Sequence, residues 1–475
     1  MSITKKSIRL HASPKAVITQ FLNLPGSNRI STVVKRIEIL RDNEVKDAFE
    51  KVMKDFAVRH RNIEQTFLNH FNRIAEQYTA SLAHFSLQKK ILLGAFFTKE
   101  YSIQAAALFN PSIVTHSNQQ GLKVGEQRFV MSLRATGEGH ISSIVFQTGI
   151  VDTMANISLD KVTGYFTPLK KRLDSTYSKL FVTERATTIS GFNKNILDIL
   201  PESFSAEEAE HIFNSVKSAD ASTTDSIIWL KNIMDTNYEL EASSNVHLNE
   251  KVIFPYSRGE SMGMEDARFV KFENEGQYCY YGTYTAYDGK HIKTQLLETT
   301  DFDVFKIRTL YGAAVSDKGM AFFPEKVNGK YAMISRQGGE NINIMFSDNL
   351  YFWEDFQILM EPHYQWEFVQ VGNCGSPIKT TKGWLLLTHG VGTMRTYVIS
   401  AILLDLHDPT RIIGRLDKPL LEADENEREG YVPNVVYTCG FLLHGNHLII
   451  PYALSDSATA FATIALDEIL KEMKP

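Results

Sequence analysis

The stretch "DARFVKFENEGQYCYYG", residues 266–282, reads as two β runs joined by a turn at Glu275–Gly276. The same grammar returns in "FPEKVNGKYAMISR" from 323, "SPIKTTKGWLLLTHG" from 376 and "PNVVYTCGFLLHGNHLIIPY" from 433. These starts lie 57, 53 and 57 residues apart, which is room for one four-stranded sheet per repeat. A further copy runs from "FNPSIV" to "VMSLRA" between 109 and 135, cut off by a helical insert. Sheets repeated radially at such a period build a β-propeller, with a sandwich or jelly roll as the rival architecture.

Outside these repeats the texture is helical. From Glu44 to about Tyr78, apolar residues fall at Val45, Phe49, Val52, Met53 and Phe56, then at Ile63, Phe67, Phe71 and Ile74. That 3.6-residue rhythm predicts two helices or one long one. A second helical block spans roughly 168–240, where "SAEEAEHIFNSVKS" opens on Ser205 with Glu208 three residues on, a capping box. The apolar "ILLGAFF" at 91–97 is too short to span a membrane and is expected in a core. The expected organisation is an all-β core with added helices. It divides into a largely helical N-terminal extension (1–107), a first blade (108–167), a helical insert (168–245) and the remaining blades (246–475).

The chain has 475 residues, a formal net charge of −5, 43% hydrophobic and 22% charged residues. A mildly acidic balance offers no footprint for nucleic acid. Cys279, Cys374 and Cys439 stand far apart with no CxxC pair, which argues against a disulfide framework or a thiolate metal site and for a reducing compartment. The N-terminus carries no signal-peptide core, so a cytoplasmic protein is expected, with no membrane association.

In a propeller, equivalent positions of successive repeats converge on a central pocket. Those positions hold Asp266 with Arg268, Lys318 and Arg336, Lys379 and His389, and Asp456. Several cations and two carboxylates would share one cavity. A glycosidase needs two carboxyl groups, whereas an enzyme that uses phosphate as nucleophile needs one acid plus cationic donors to hold the anion. Asp266 as acid, with Arg336, Lys379 and His389 across the pocket, fits the second pattern. The competing reading of each residue is structural: Asp266 capping its own turn, Lys379 and Arg336 as solvated strand-end charges, His389 as a core histidine. "GEGH" at 137–140, with no helix pattern after it, reads as a hairpin turn rather than a phosphate cradle.

Taken together, "GMEDARFV", "FFPEKVNGKYAMISR", "GSPIKTTKGWLLLTHGVG", "YVPNVVYTCG" and "PYALSDSATAFATIALDEIL" resemble family 130 of the glycoside hydrolases, the mannoside phosphorylases and their β-mannosidase relatives. The resemblance implies a five-bladed β-propeller and inverting chemistry that uses inorganic phosphate as co-substrate, with no cofactor and no metal. It implies Asp266 as general acid and Arg336, Lys379, His389 and Lys318 as the phosphate grip. Asn110, Ser112, Arg134, Arg268 and Asp456 match sugar-binding positions. The expected activity is phosphorolysis of a β-mannosyl oligosaccharide to α-mannose 1-phosphate and a shortened sugar. The alternatives are an inverting β-mannosidase, a mannosyltransferase and a noncatalytic carbohydrate-binding propeller. An acid role requires Asp266 to be protonated before attack, with burial and Glu265 favouring that form and Arg268 opposing it. Two departures stand out: Tyr431 replaces an Asp common in the family, and Gly319 follows Lys318 where some members have Asn. Two roles are open to the helical segments, covering the pocket rim or forming a homo-oligomer interface.

Overall fold

Tight turns set the pairing of the β region. In the computed structural model, which describes residues 2–475 apart from 79–80, 173, 217–220 and 244, strand Gly263–Asn274 pairs antiparallel with Gln277–Tyr287. Their loop, Glu275 and Gly276, has φ of 51° and 77°. Two consecutive left-handed residues match the twist of a two-residue hairpin. Asn328 and Gly329 repeat the device at φ 51° and 81°, between Val327 and Lys330.

The chain is mostly β-strand with added helices; among the described residues most strands fall into five largely antiparallel ladders, and two short pairs, Val17–Phe21 with Thr98–Ser102 and Thr176–Ser178 with Ser203–Ser205, stand outside them. The first contains Ala107–Thr115, Gln127–Thr136 and Ser142–Val151. The second continues from Gly263–Asn274 and Gln277–Tyr287 into Ile292–Thr299 and Val304–Thr309, and touches the first through Gly263 and Ser142. The third runs from Ala321–Phe322 to Gln357–Met360 and the fourth from Gln370–Asn373 to Ile412–Arg415. The fifth joins Val436–Tyr437, His447–Leu454 and Ala458–Ala465 to Thr4–His11. The N-terminal strand therefore leaves the extension that the sequence assigns to residues 1–107 and pairs with the last strand of the chain.

Each neighbouring pair of ladders shares its own apolar cluster. Val114, Phe146, Phe269 and Tyr284 join the first to the second; Phe272, Tyr281, Phe322 and Met333 join the second to the third. Ile334, Ile344, Trp384 and Leu386 join the third to the fourth; Leu387, Ile399, Ile450 and Ala460 join the fourth to the fifth. Finally Ile449 and Phe461 of the fifth pack with Phe129 and Met131 of the first. Burial of such side chains contributes about 1.5–3 kcal/mol each, and here that contribution fixes the order of the ladders.

The helical blocks have small cores of their own. Helices Asp42–Phe56 and Ile63–Gln77 are separate, and Ile74 and Phe71 pack with Leu93 and Phe97 beside helix Leu87–Phe96. In the insert, Ser205 and Glu208 make the expected capping box, although residues 217–218 of that stretch lie outside the described ones. Phe204, Phe213 and Leu230 form its core. The insert is not purely helical, because Tyr238–Glu241 pairs with Val304–Thr309 in the second ladder. Residues 137–141 are the tip of a hairpin, as expected. No helix among the described residues is long and apolar enough to cross a membrane.

Candidate active site

Two strand irregularities create the site. In strand Gly263–Asn274, pairing slips between Glu265 and Arg268, and Asp266 takes φ 55°. In strand Ala107–Thr115 it slips between Phe109 and Ser112, and Asn110 takes φ 48°. A bulge inserts one residue, bends the strand and re-aims a side chain, and Asn and Asp tolerate the left-handed conformation better than other side chains. The two bulges face each other: Asn110 Nδ2 donates to Asp266 Oδ1 at 2.7 Å. Arg134, across the ladder from Phe109, donates to Asp266 at 3.2 Å, to Glu265 at 2.8 Å and to Ser142 Oγ at 2.8 Å.

A narrow cavity opens beside Asp266, lined also by Arg268, Lys318, Gly319, Arg336, Asn373, His389 and Tyr437. Arg268 is buried; it donates to the Asp266 carbonyl at 2.8 Å and to the Tyr437 hydroxyl at 2.5 Å. Arg336 Nη1 faces His389 Nε2 at 3.4 Å. The Nε atoms of both Arg268 and Arg336 are buried without a hydrogen-bond partner among the described residues. Asn373 donates to the Gly319 carbonyl and so fixes the turn that carries Lys318. Gly319 has φ 84°, and a Cβ there would sit 4.0 Å from both Arg268 and Arg336.

The cluster polarises its acids in opposite directions. Burial disfavours charge on Asp266, but Arg134, Arg268, Lys318 and the Asn110 amide outweigh it and hold the carboxyl down at about 2. The protein's own charges therefore keep Asp266 ionised, contrary to the protonated form an acid role led the sequence reading to expect. Asp456, in the turn after His447–Leu454 with φ 51°, goes the other way. Its burial, together with the nearby Asp266, pushes it up to about 6. Burial and the charges of Arg336 and Arg268 hold His389 well below its usual value, so its imidazole is neutral.

The structure thus brings together Asp266, Arg268, Lys318, Arg336 and His389 on the cavity wall, with Asn110 and Arg134 bonded to Asp266 and Asp456 electrostatically coupled to it. Two residues fall elsewhere. Lys379 pairs with Glu325 and lies over the Trp384 ring, its side chain 48% exposed. It sits opposite Trp384 in its ladder while His389 sits opposite Gly372. Five residues of strand, about 17 Å, separate Trp384 from His389. Ser112 is fully buried, and its Oγ accepts from the Phe269 amide at 2.9 Å, so it joins two strands instead of facing a ligand. Sequence reasoning missed Asn373 and Tyr437. Tyr437 lay inside the quoted "YVPNVVYTCG", but a neutral hydroxyl in an apolar run carries little signal.

A larger cavity, about 810 Å³, lies between the N-terminal helices and residues 165–170. Of its charged groups, Arg61 pairs with Glu250 and His60 with Glu100, both at 2.7 Å, while Lys170 is exposed to solvent. Among the described residues, no buried side-chain N–H group lining this larger cavity lacks a partner. The chemistry is therefore assigned to the smaller one.

Residues 216–475 match the family model of glycoside hydrolase family 130, described as beta-1,4-mannooligosaccharide phosphorylase. The chain belongs to this family. A 1,2-beta-oligomannan phosphorylase of Thermoanaerobacter sp. (strain X514) is 33% identical over 228 residues, covering 47% of this chain and 75% of that protein. A beta-1,2-mannobiose phosphorylase of Listeria innocua serovar 6a is 31% identical over 236 residues, 48% of this chain and 65% of its own length. Among solved structures, the Listeria innocua beta-1,2-mannobiose phosphorylase in complex with beta-1,2-mannobiose aligns at TM-score 0.47 and 22% identity, over 77% of this chain and 92% of that one. Among the described residues of the family 130 chain, no three His, Cys, Asp or Glu side chains gather as a metal site.

Proposed function

We infer that this chain is an inverting β-mannoside phosphorylase, converting a β-mannosyl oligosaccharide and inorganic phosphate into α-mannose 1-phosphate and a shortened sugar. The observation that carries the reading is that Arg268 and Arg336, which line one cavity, each bury a guanidinium N–H group with no partner among the described residues. Buried donors without partners are costly and call for a ligand. Lys318, the neutral His389 and the Tyr437 hydroxyl complete a lining suited to a phosphate.

The proton balance supports the same assignment. A phosphate oxygen attacks the anomeric carbon, the bond from that carbon to the leaving sugar breaks, and the leaving oxygen takes a proton from Asp266. Hydrogen phosphate gives up its own proton on becoming a sugar phosphate and restores the acid. One hydrogen phosphate dianion and one mannoside give one sugar phosphate dianion and one free hydroxyl. A dianion among the cations that hold Asp266 ionised also cancels their field, so phosphate binding raises the affinity of Asp266 for the proton.

The proposed architecture is a five-bladed β-propeller with its axis at the cavity. Its support is the five apolar clusters, the last of which packs the fifth ladder on the first. The boundaries at 107, 167 and 245 are kept as proposed units, with residues 4–11 moved to the last blade. Three free cysteines favour a reducing, cytoplasmic setting. The test is a phosphorolysis screen on β-1,2-, β-1,3- and β-1,4-linked mannobioses and mannosyl-glucose, with and without phosphate. α-Mannose 1-phosphate should form on at least one substrate and only with phosphate; mannose release that ignores phosphate would establish the hydrolase instead.

A further inference from the structure

We propose that Tyr431 and His140 form the platform on which the leaving sugar, a hexopyranose, stacks during the reaction. Tyr431 is 57% exposed although its loop is pinned. The loop is held by Val432 N–H donating to the Ser455 carbonyl at 3.0 Å and by Arg428 Nε donating to Asn434 Oδ1 at 2.8 Å. Ser455 is the residue before Asp456, so the loop is fastened to the turn that carries that carboxyl.

On the other side, Tyr431 Oη lies 3.3 Å from His140 Nδ1, with ring centroids 5.8 Å apart at 32°. His140 stands at the tip of a hairpin whose final pair is Thr136 with Ser142. Ser142 accepts from Arg134, the side chain that holds Asp266. His140 is thereby tied to the hairpin whose Ser142 holds Arg134 on Asp266, and Tyr431 to the turn that carries Asp456.

Inversion fixes what should lie there. The nucleophile and the leaving group must occupy opposite faces of the anomeric carbon. Arg336 and His389, which meet each other at 3.4 Å, mark the nucleophile's flank and come from the third and fourth ladders. Asn110, Arg134 and the His140 hairpin belong to the first ladder, and Tyr431 precedes the fifth. A leaving sugar displaced away from phosphate moves toward this second flank. An exposed aromatic pair suits it: the axial C–H groups of a pyranose pack on a ring face, while the phenol and imidazole hydrogen-bond to its hydroxyls.

This inference rests on the phosphorylase reading, and its test separates the two. In the synthetic direction, with α-mannose 1-phosphate as donor and mannose as acceptor, Tyr431→Ala should raise the acceptor KM at least tenfold. The donor KM should stay within twofold, and Tyr431→Phe should remain within about threefold of the parent. Calorimetric titration of β-mannobiose without phosphate gives the parallel readout, a tenfold or greater loss of affinity in Tyr431→Ala, with mannose 1-phosphate affinity unchanged. If no phosphate-dependent turnover exists but the mannobiose affinity falls, the phosphorylase reading fails and the platform stands. Unchanged acceptor KM and mannobiose affinity, or equal effects on donor and acceptor in a variant that melts at the parent temperature, would overturn the platform.

Discussion

Replacing Asp266 by Asn tests the acid role most directly. With its carboxyl held down at about 2, protonating Asp266 at pH 7 against the protein's own charges costs about 7 kcal/mol, at 1.36 kcal/mol per pH unit. A phosphate dianion roughly 5 Å away, at an effective dielectric near 20, offsets about 7 kcal/mol of that by Coulomb's law. The two figures are of the same order, so under the proposed acid role bound phosphate would offset much of the cost of protonating Asp266. Asp266→Asn keeps an oxygen to accept from Asn110, and Arg134 keeps Glu265, so the variant should fold. It loses an ionic interaction whose depressed carboxyl contributes about 3 kcal/mol above pH 4, a contribution that disappears as pH falls toward 2. Sugar 1-phosphate release from mannobiose at saturating phosphate should drop about 10²- to 10⁴-fold, or about 3–5 kcal/mol of barrier. With mannosyl fluoride, whose leaving group needs little protonation, the loss should be much smaller. Near-normal turnover on mannobiose would refute the acid role, and so would a variant that simply unfolds, the outcome expected of a structural turn carboxylate.

Arg336→Ala should raise the phosphate KM about 10- to 100-fold, from about 1.5–3 kcal/mol for a charge-assisted bond, and change the mannoside KM far less; equal changes in initial-rate kinetics would count against the assignment. Lys379→Ala should leave both constants within twofold and cost under about 1 kcal/mol, since its partner Glu325 is also partly exposed; a large phosphate effect would contradict the structure. Asp456→Asn concerns stability. With the folded carboxyl pushed up to about 6 and an unfolded value near 3.9, the folded protein binds more protons between those limits. Its stability therefore falls as pH climbs through that window. Thermal melts should show the Asn variant gaining on the parent, by up to about 3 kcal/mol, between pH 4 and 7, and a constant difference would exclude the shift.

Much of the molecule was legible in the sequence because a strand, a tight turn and a strand leave a local pattern, and Glu275–Gly276 and Asn328–Gly329 carry it plainly. The strand Thr4–His11 was not, since its partner lies over 440 residues away at Ala458–Ala465 and no repeat announces it. Lys379 was misplaced for a related reason. The repeat marks which strand a residue occupies but not which end reaches the cavity, and Trp384 and His389 sit at opposite ends of one buried run. Ser112 fails differently: a hydroxyl beside a ligand and one tying two strands look alike in sequence. The ionised state of Asp266 was illegible too, because Arg268 is its near neighbour in the chain while Arg134 and Lys318 reach it only through the fold.

The backbone explains why these side chains and not others occupy the site. Asn110, Asp266 and Asp456 all hold left-handed conformations, at φ 48°, 55° and 51°, and they come from three different ladders. Such conformations disfavour most side chains and persist only where the surroundings enforce them. Asn and Asp adopt them more readily than other non-glycine residues, so conformation and chemistry select the same residue types. Asn110 and Asp266 each interrupt a strand register, and the interruption turns both side chains toward one point, where they meet at 2.7 Å. Without the bulges the alternation of the pleat would send neighbouring side chains to opposite faces. Asp266 is thus the turn residue suggested by its local sequence, and the strand irregularity that favours an Asp there is also what places its carboxyl at the cavity, where the proposed acid role requires it.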